Sequence, residues 1–192
     1  MRMNPRFREM ILGGELTPIS KLSGAFMSPK TGAHMQFAYY QSSLVVEHIV
    51  GRFGLEAIRK ILRDLGQGVK INAATAKHTE PMDKLEAAFT KYAKAKANGL
   101  APELDWDKPD PKALRANIAE LAKRHPKNFY ILTRQANRAI NDRKWAAAKA
   151  PCRRLIKLFP RQAGDGNAYV LLARAHRELK EFPSQMECNI SI

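Results

Sequence analysis

A chain of 192 residues that is 45% hydrophobic and 27% charged can bury a core and fold as one domain or two small ones, which excludes disorder as the default. Its net charge of +15 favours anionic partners, and no apolar run approaches the roughly 18 residues that span a bilayer. The longest, around Leu44 to Val50, is interrupted by Glu47 and His48, and the N-terminus has no apolar stretch that reads as a secretory signal, leaving localisation open.

The periodicity predicts helices throughout. Phe37, Tyr40, Leu44, Val45, His48 and Phe53 follow helical spacing and predict a long buried helix that ends at Gly51 or Gly54. Leu55, Ile58, Ile61, Leu62 and Leu65 then form the apolar stripe of a second amphipathic helix, closed by Gly66. A short third helix is expected over Ile71 to Ala76, and a fourth, carrying Leu85, Ala88, Phe89 and Tyr92, after Pro81. Glu47 and His48 are adjacent, point about 100° apart on a helix, and are read as a surface or rim pair.

Residues 98–110, with Gly99, Pro102 and Pro109 and with Pro111 just after them, read as a linker between a first unit, 1–97, and a second, 111–192. Asp110 before Pro111 has the form of an N-cap followed by proline at the first helical position. Asp105-Trp106-Asp107 is read as capping and solvating rather than cation-binding.

Beyond the linker the sequence repeats. Leu114, Ile118, Leu121 and Pro126 recur 34 residues later as Ala148, Cys152, Leu155 and Pro160, while Ala136 and Trp145 recur 37 residues later as Ala173 and Phe182. Helices are predicted near 112–124, 128–140, 145–158, 167–179 and 183–189. Small residues at Ala136, Ala173 and Ala148 suit closely packed antiparallel helices, and Pro160 ends one of them. Residues 111–189 resemble tetratricopeptide repeats, the best single repeat being Phe129 to Pro160. The chain departs from that pattern at Gln135, Ala139, Pro151 and Gln185. The resemblance implies a short α-solenoid that holds a protein segment on its concave face.

The series Ala38 to Val46, Arg52 to Glu56, Leu65 to Gly68 and Leu85 to Phe89, with Gly14 to Ile19 and Leu22 to Phe26 before it, resembles the C-terminal helical part of the peptidase MA-like domain. That domain is a relative of the gluzincin zinc metallopeptidases, and the likeness spans residues 4–95. It implies an all-α chain: a helical subdomain of a zincin-like peptidase joined to the repeats, cut from an exported bacterial parent. The expectation is a fragment, lacking the zinc-binding half upstream and stopping inside an unfinished repeat. No HExxH occurs; His34, His48, His78, His125 and His176 are separated by 14, 30, 47 and 51 residues. A catalytic zinc needs about three converging ligands, so no metal or other cofactor is expected in this chain and it is expected to be inactive alone. By the resemblance Tyr40, or Tyr39 beside it, corresponds to a tyrosine that donates to the oxyanion once a zinc half is supplied.

Charge distribution supplies the other candidate site. Residues 110–192 carry 17 basic against 7 acidic residues, and Pro111 to Arg161 carries 14 against 2, Glu120 and Asp142. Arg134, Arg138, Arg143, Lys144, Lys149, Arg153, Arg154 and Lys157 are the candidate partner-binding residues, for a protein or peptide of acidic character. Nucleic acid ranks below that, because the few aromatics within the basic run, Phe129, Tyr130 and Trp145, are already needed as core. The two cysteines, Cys152 and Cys188, form no CxxC and read as buried or idle thiols.

Overall fold

A computed structural model of the chain describes residues 2–162 and 166–181, and it divides into two compact units, Met1–Leu100 and Ala101–Ile192. Among the described residues the secondary structure is helical, with one isolated bridge between Asp105 and Asn128. Phe182, Gln185, Cys188 and the helix predicted over 183–189 lie outside them.

The first unit begins with α1 (Pro5–Leu12), started by the Asn4 side chain, which accepts from the Phe7 N–H at 2.9 Å. A 3₁₀ turn (Ile19–Lys21) and a short α2 (Leu22–Met27) lead into α3 (Gly32–Gly66), followed by α4 (Ile71–His78) and α5 (Met82–Asn98). Phe7, Met10 and Ile11 of α1, Phe37, Tyr40, Leu44 and Ile49 of α3, and Leu85 and Phe89 of α5 form one core. Phe7 stacks on Tyr40 with ring centroids 4.7 Å apart. Two polar clamps bind the connecting segment to this core. Gln41, buried, donates to the Thr17 carbonyl and accepts from the Thr17 N–H. Both the hydroxyl and the N–H of Ser20 reach Glu86.

Of the two stops predicted for the long helix, Gly51 and Gly54, the second is used: helical geometry runs through Gly51 and breaks at Gly54, where φ 78° and ψ 165° are a conformation that only glycine adopts readily. After the bend the buried face is Ala57, Ile61 and Asp64, whereas Leu55 and Leu62 of the expected stripe are 54% and 61% exposed. The reason is α4: Lys77 and His78 each donate to Asp64 at 2.9 Å, which turns that face toward α4 and rotates the leucines outward.

The second unit takes in most of the segment read as a linker. Leu104 is buried, and Asp105 pairs with the start of α8, its N–H donating to the Lys127 carbonyl and its carbonyl accepting from the Phe129 N–H. The single helix predicted over 112–124 is two, α6 (Pro111–Ala116) and α7 (Ile118–Arg124), because Asn117 sits at φ −141°, ψ 47° between them. Asp110 caps α6 as its sequence suggested. Then come α8 (Phe129–Asn141), α9 (Trp145–Leu158) and α10 (Ala168–Glu178).

Asparagines cap α8 and α10: Asn128 accepts from Ile131 N–H, and Asn167 from Tyr169 and Val170. Both helices leave through a left-handed residue, Arg143 and Lys180, each at φ 56°. Those turns keep the 37-residue interval, yet the buried faces do not. Ala136 is fully buried and Ala173 is exposed; the buried counterpart of Ala136 is Ala175, and that of Leu132 is Leu171, both 39 residues on. α8 packs on α7, α9 and α10, while α10 packs on α9 and α8.

Candidate functional site

Three helix faces in the second unit surround a groove of about 900 Å³. Ile118, Ala119 and Ala122 come from α7, and Gln135, Arg138, Ala139 and the following Asp142 recur at three- and four-residue steps along α8. Ala147, Ala150, Pro151 and Arg154 do the same on α9. The other face of α9, with Ala148, Cys152 and Leu155, is core, so this helix is apolar on both sides for two different purposes. Small side chains line much of the groove, which is why a space remains between helices that otherwise pack closely.

Positive charge surrounds this floor. Lys123, Arg138, Lys144 and Arg154 line the groove against the single carboxylate of Asp142. The Asp142 carboxylate lies 3.8 Å from both Arg138 Nε and Lys144 Nζ, outside hydrogen-bond reach, so it neutralises neither firmly. Lys123 and Arg154 form no ion pair among the described residues. Pro151 contributes differently: it has no N–H to give the Ala147 carbonyl one turn earlier, and both residues line the groove. The helix backbone therefore offers an acceptor beside the basic rim.

The structure brings some of the sequence-derived candidates together and separates others. Arg138, Lys144 and Arg154 share the groove. Arg134 and Arg138 share a second, smaller cavity of about 270 Å³ with Arg115. Lys149 is turned to Glu181, at 2.6 Å, and holds that carboxyl below its ordinary pKa. Arg143 occupies the left-handed turn after α8, and Arg153 and Lys157 are exposed outside either cavity. Sequence reasoning counted Lys123 and Arg115 within its basic run, Pro111 to Arg161, but did not name them among the candidate binding residues. It also missed a signal within its reach: three departures from the repeat pattern, Gln135, Ala139 and Pro151, all line the groove.

In the first unit Tyr40 is the buried member of its pair, 4% exposed, and burial together with the nearby Glu47 pushes its hydroxyl up to about 12. Tyr39 is 59% exposed, edge-on to Phe26. His48, placed on the stripe of the long buried helix and also read with Glu47 as a surface or rim pair, is 5% exposed and lies against the rings of Phe89 and Tyr92 of α5. Glu47 does face outward, where Lys96 donates to it at 2.6 Å and lowers its pKa. Asp105, in the second unit, is occupied with structure: it accepts from the Asn128 side chain and from the Asp107 N–H.

Among the described residues no three His, Cys, Asp or Glu side chains converge as a metal ion requires. A zinc ion as in the resembled peptidases would need ligands from outside them. Cys152 is fully buried, and burial alone pushes its thiol up to about 11, which makes it a poor nucleophile. No helix among the described residues is long and apolar enough to cross a membrane.

No family model matches the chain, and neither the curated proteins nor the solved structures contain a match to it.

Proposed function

We propose that the second unit is a tetratricopeptide-like binding module whose groove between α7, α8 and α9 takes an acidic segment of a partner protein. One observation carries this reading: four basic side chains, opposed by one carboxylate, line a groove whose floor is mostly small and apolar, Ala119, Ala122, Ala139, Ala147 and Ala150 among them. The floor accepts side chains of the segment, the Ala147 carbonyl accepts a backbone or side-chain donor, and the rim attracts acidic residues and sets orientation.

The test uses the full chain and a fluorescein-labelled peptide of alternating glutamate and alanine. Binding should weaken steeply as salt rises, since the rim charges are exposed and screened. Charge reversal at Arg138 and Arg154 together should lower affinity at least about tenfold, and Ala150→Trp, which fills the groove without touching the rim charges, should do the same. Binding indifferent to both substitutions would sink the groove as the site.

A second reading concerns the first unit, where the resemblance of residues 4–95 to the peptidase MA-like domain is joined by the exposure of Tyr39 on α3. In that reading the unit is the helical part of a metallopeptidase-related domain, with zinc and the HExxH helix supplied by sequence outside these residues. Tyr39 then offers an accessible hydroxyl, whereas Tyr40 would first have to leave its stack on Phe7. The codons preceding Met1 decide it: an in-frame HExxH followed by a glutamate-bearing helix supports the peptidase relation, and a promoter in that place removes it.

A further inference from the structure

The smaller cavity of the second unit, about 270 Å³, lies between α6 and α8 and is lined by Leu114, Arg115, Arg134, Arg138, Asn141 and Asp142. Arg134 and Arg138 stand one turn apart on the same face of α8, and Arg115 lines the cavity from α6, so three arginines border one small space. Such groups repel each other unless an anion lies between them. Asp142 is the only carboxylate lining the cavity, and it is shared at 3.8 Å between Arg138 and Lys144. Arg115 and Arg134 make neither an ion pair nor a hydrogen bond through their side chains among the described residues, so five N–H donors on each remain available.

We propose that Arg115, Arg134 and Arg138 form a subsite for the phosphoryl group of a phosphorylated side chain, carried by the acidic segment that the neighbouring groove holds. This rests on the reading of that groove as a peptide site. The charge balance selects the ligand: three guanidiniums and one carboxylate leave two positive charges, which match a phosphate monoester of about −1.5 to −2 better than a carboxylate of one charge. Guanidinium forks also fit phosphate oxygens in paired hydrogen bonds, and Asn141 adds an amide at the same wall. Arg138 and Asp142 line both cavities, so a side chain leaving a peptide in the groove enters the subsite directly. Nucleic acid fits less well, because among the described residues no aromatic ring lines either cavity and single-stranded bases need rings on which to stack.

The experiment immobilises the full chain and measures retention of three probes: a degenerate nonapeptide library with central phosphoserine, its serine twin, and a decauridylate RNA. Retention of the phosphoserine library should exceed that of the serine twin by at least about tenfold, the value of one good charge-assisted contact set. Arg115→Ala should remove most of that advantage while leaving the serine twin unchanged, which also shows that the variant folds, and Arg134→Ala should remove most of it as well. Arg134→Lys, which keeps charge but loses the fork, should fall between. Equal retention of the two libraries would overturn the subsite and leave the groove intact. Decauridylate retained better than the phosphoserine library, and lost on the same substitutions, would overturn it in favour of nucleic acid. Loss of both libraries from the unmodified chain would instead strike the groove reading beneath it.

Discussion

The side-chain amide of Asn128 donates to the carboxylate of Asp105, 23 residues earlier, at 2.9 Å, and the same amide donates to the Asp107 carbonyl at 2.7 Å. Its oxygen meanwhile accepts from the Ile131 N–H and so caps α8. One buried residue thus starts a helix and fastens the segment before it.

Asn128→Ala should therefore destabilise the second unit by roughly 2–4 kcal/mol, adding the loss of a cap to that of buried hydrogen bonds. Asp110→Ala, at the cap of α6, should cost about 1 kcal/mol. Urea unfolding of the two variants checks the difference; equal losses would mean that the Asp105 clamp contributes nothing.

Two glycines of α3 should respond with opposite sign. Gly54→Ala places a Cβ on a backbone at φ 78° and should cost about 1–3 kcal/mol, although nothing lies within 4 Å of the new atom. Gly51→Ala, inside regular helix and equally uncrowded, should stabilise by about 0.5–1 kcal/mol. Thermal midpoints of both variants measure this. A neutral Gly54→Ala would show that the bend is not required.

Acid should weaken the first unit through His48. Its Nε2 is buried with no hydrogen-bond partner, and burial lowers its pKa, with Arg52 acting in the same direction and Glu80 opposing. The unfolded chain therefore takes the proton more readily. Stability is full above the ordinary imidazole value of about 6.5 and falls as pH drops through it toward the lower folded value. Asp64, held down by hydrogen bonds from Lys77 and His78, adds a further loss only below the ordinary carboxylate range. In His48→Leu the thermal midpoint should be flatter between pH 7 and 5. A slope that survives the substitution would assign the effect to another group.

Pro151→Ala should separate stability from binding. Restoring an N–H opposite the Ala147 carbonyl should stabilise α9 by about 1–3 kcal/mol, since proline in a helix interior costs about 3. The same change removes a free acceptor from the groove, so affinity for the acidic peptide should fall while the melting temperature rises. A rise in both would show that the carbonyl plays no part in recognition.

The parts of the fold that depend on neighbouring residues were legible before any coordinates. Asp110 followed by Pro111, the breaks near Gly66 and Pro81, and the helical spacing of Phe37, Tyr40 and Leu44 each act over a few residues, where caps, proline and side-chain period decide the outcome. The basic run along α8 and α9 was equally visible as composition, and three of its members line the groove. Asn117 was not read as a break, because its neighbours carry a helical pattern straight across it and only the backbone reveals the turn.

What the sequence by itself determined, then, was an all-helical, strongly basic chain with its main helix starts and stops. Tertiary structure alone decided which face each helix hides. Leu62 is hydrophobic and exposed while its neighbour Ile61 is buried, because α4 draws Asp64 toward itself through Lys77 and His78. On α10, Ala173 lies outward and Ala175 inward, in the core shared with Ala148, Cys152 and Leu155 of α9. Arg115 joins Arg134 across 19 residues because one cavity takes in residues of α6 and of α8. Helical period fixes which side chains share a face, but only the neighbouring helix settles whether that face is core, groove or solvent, and packing partners distant in sequence leave no local trace.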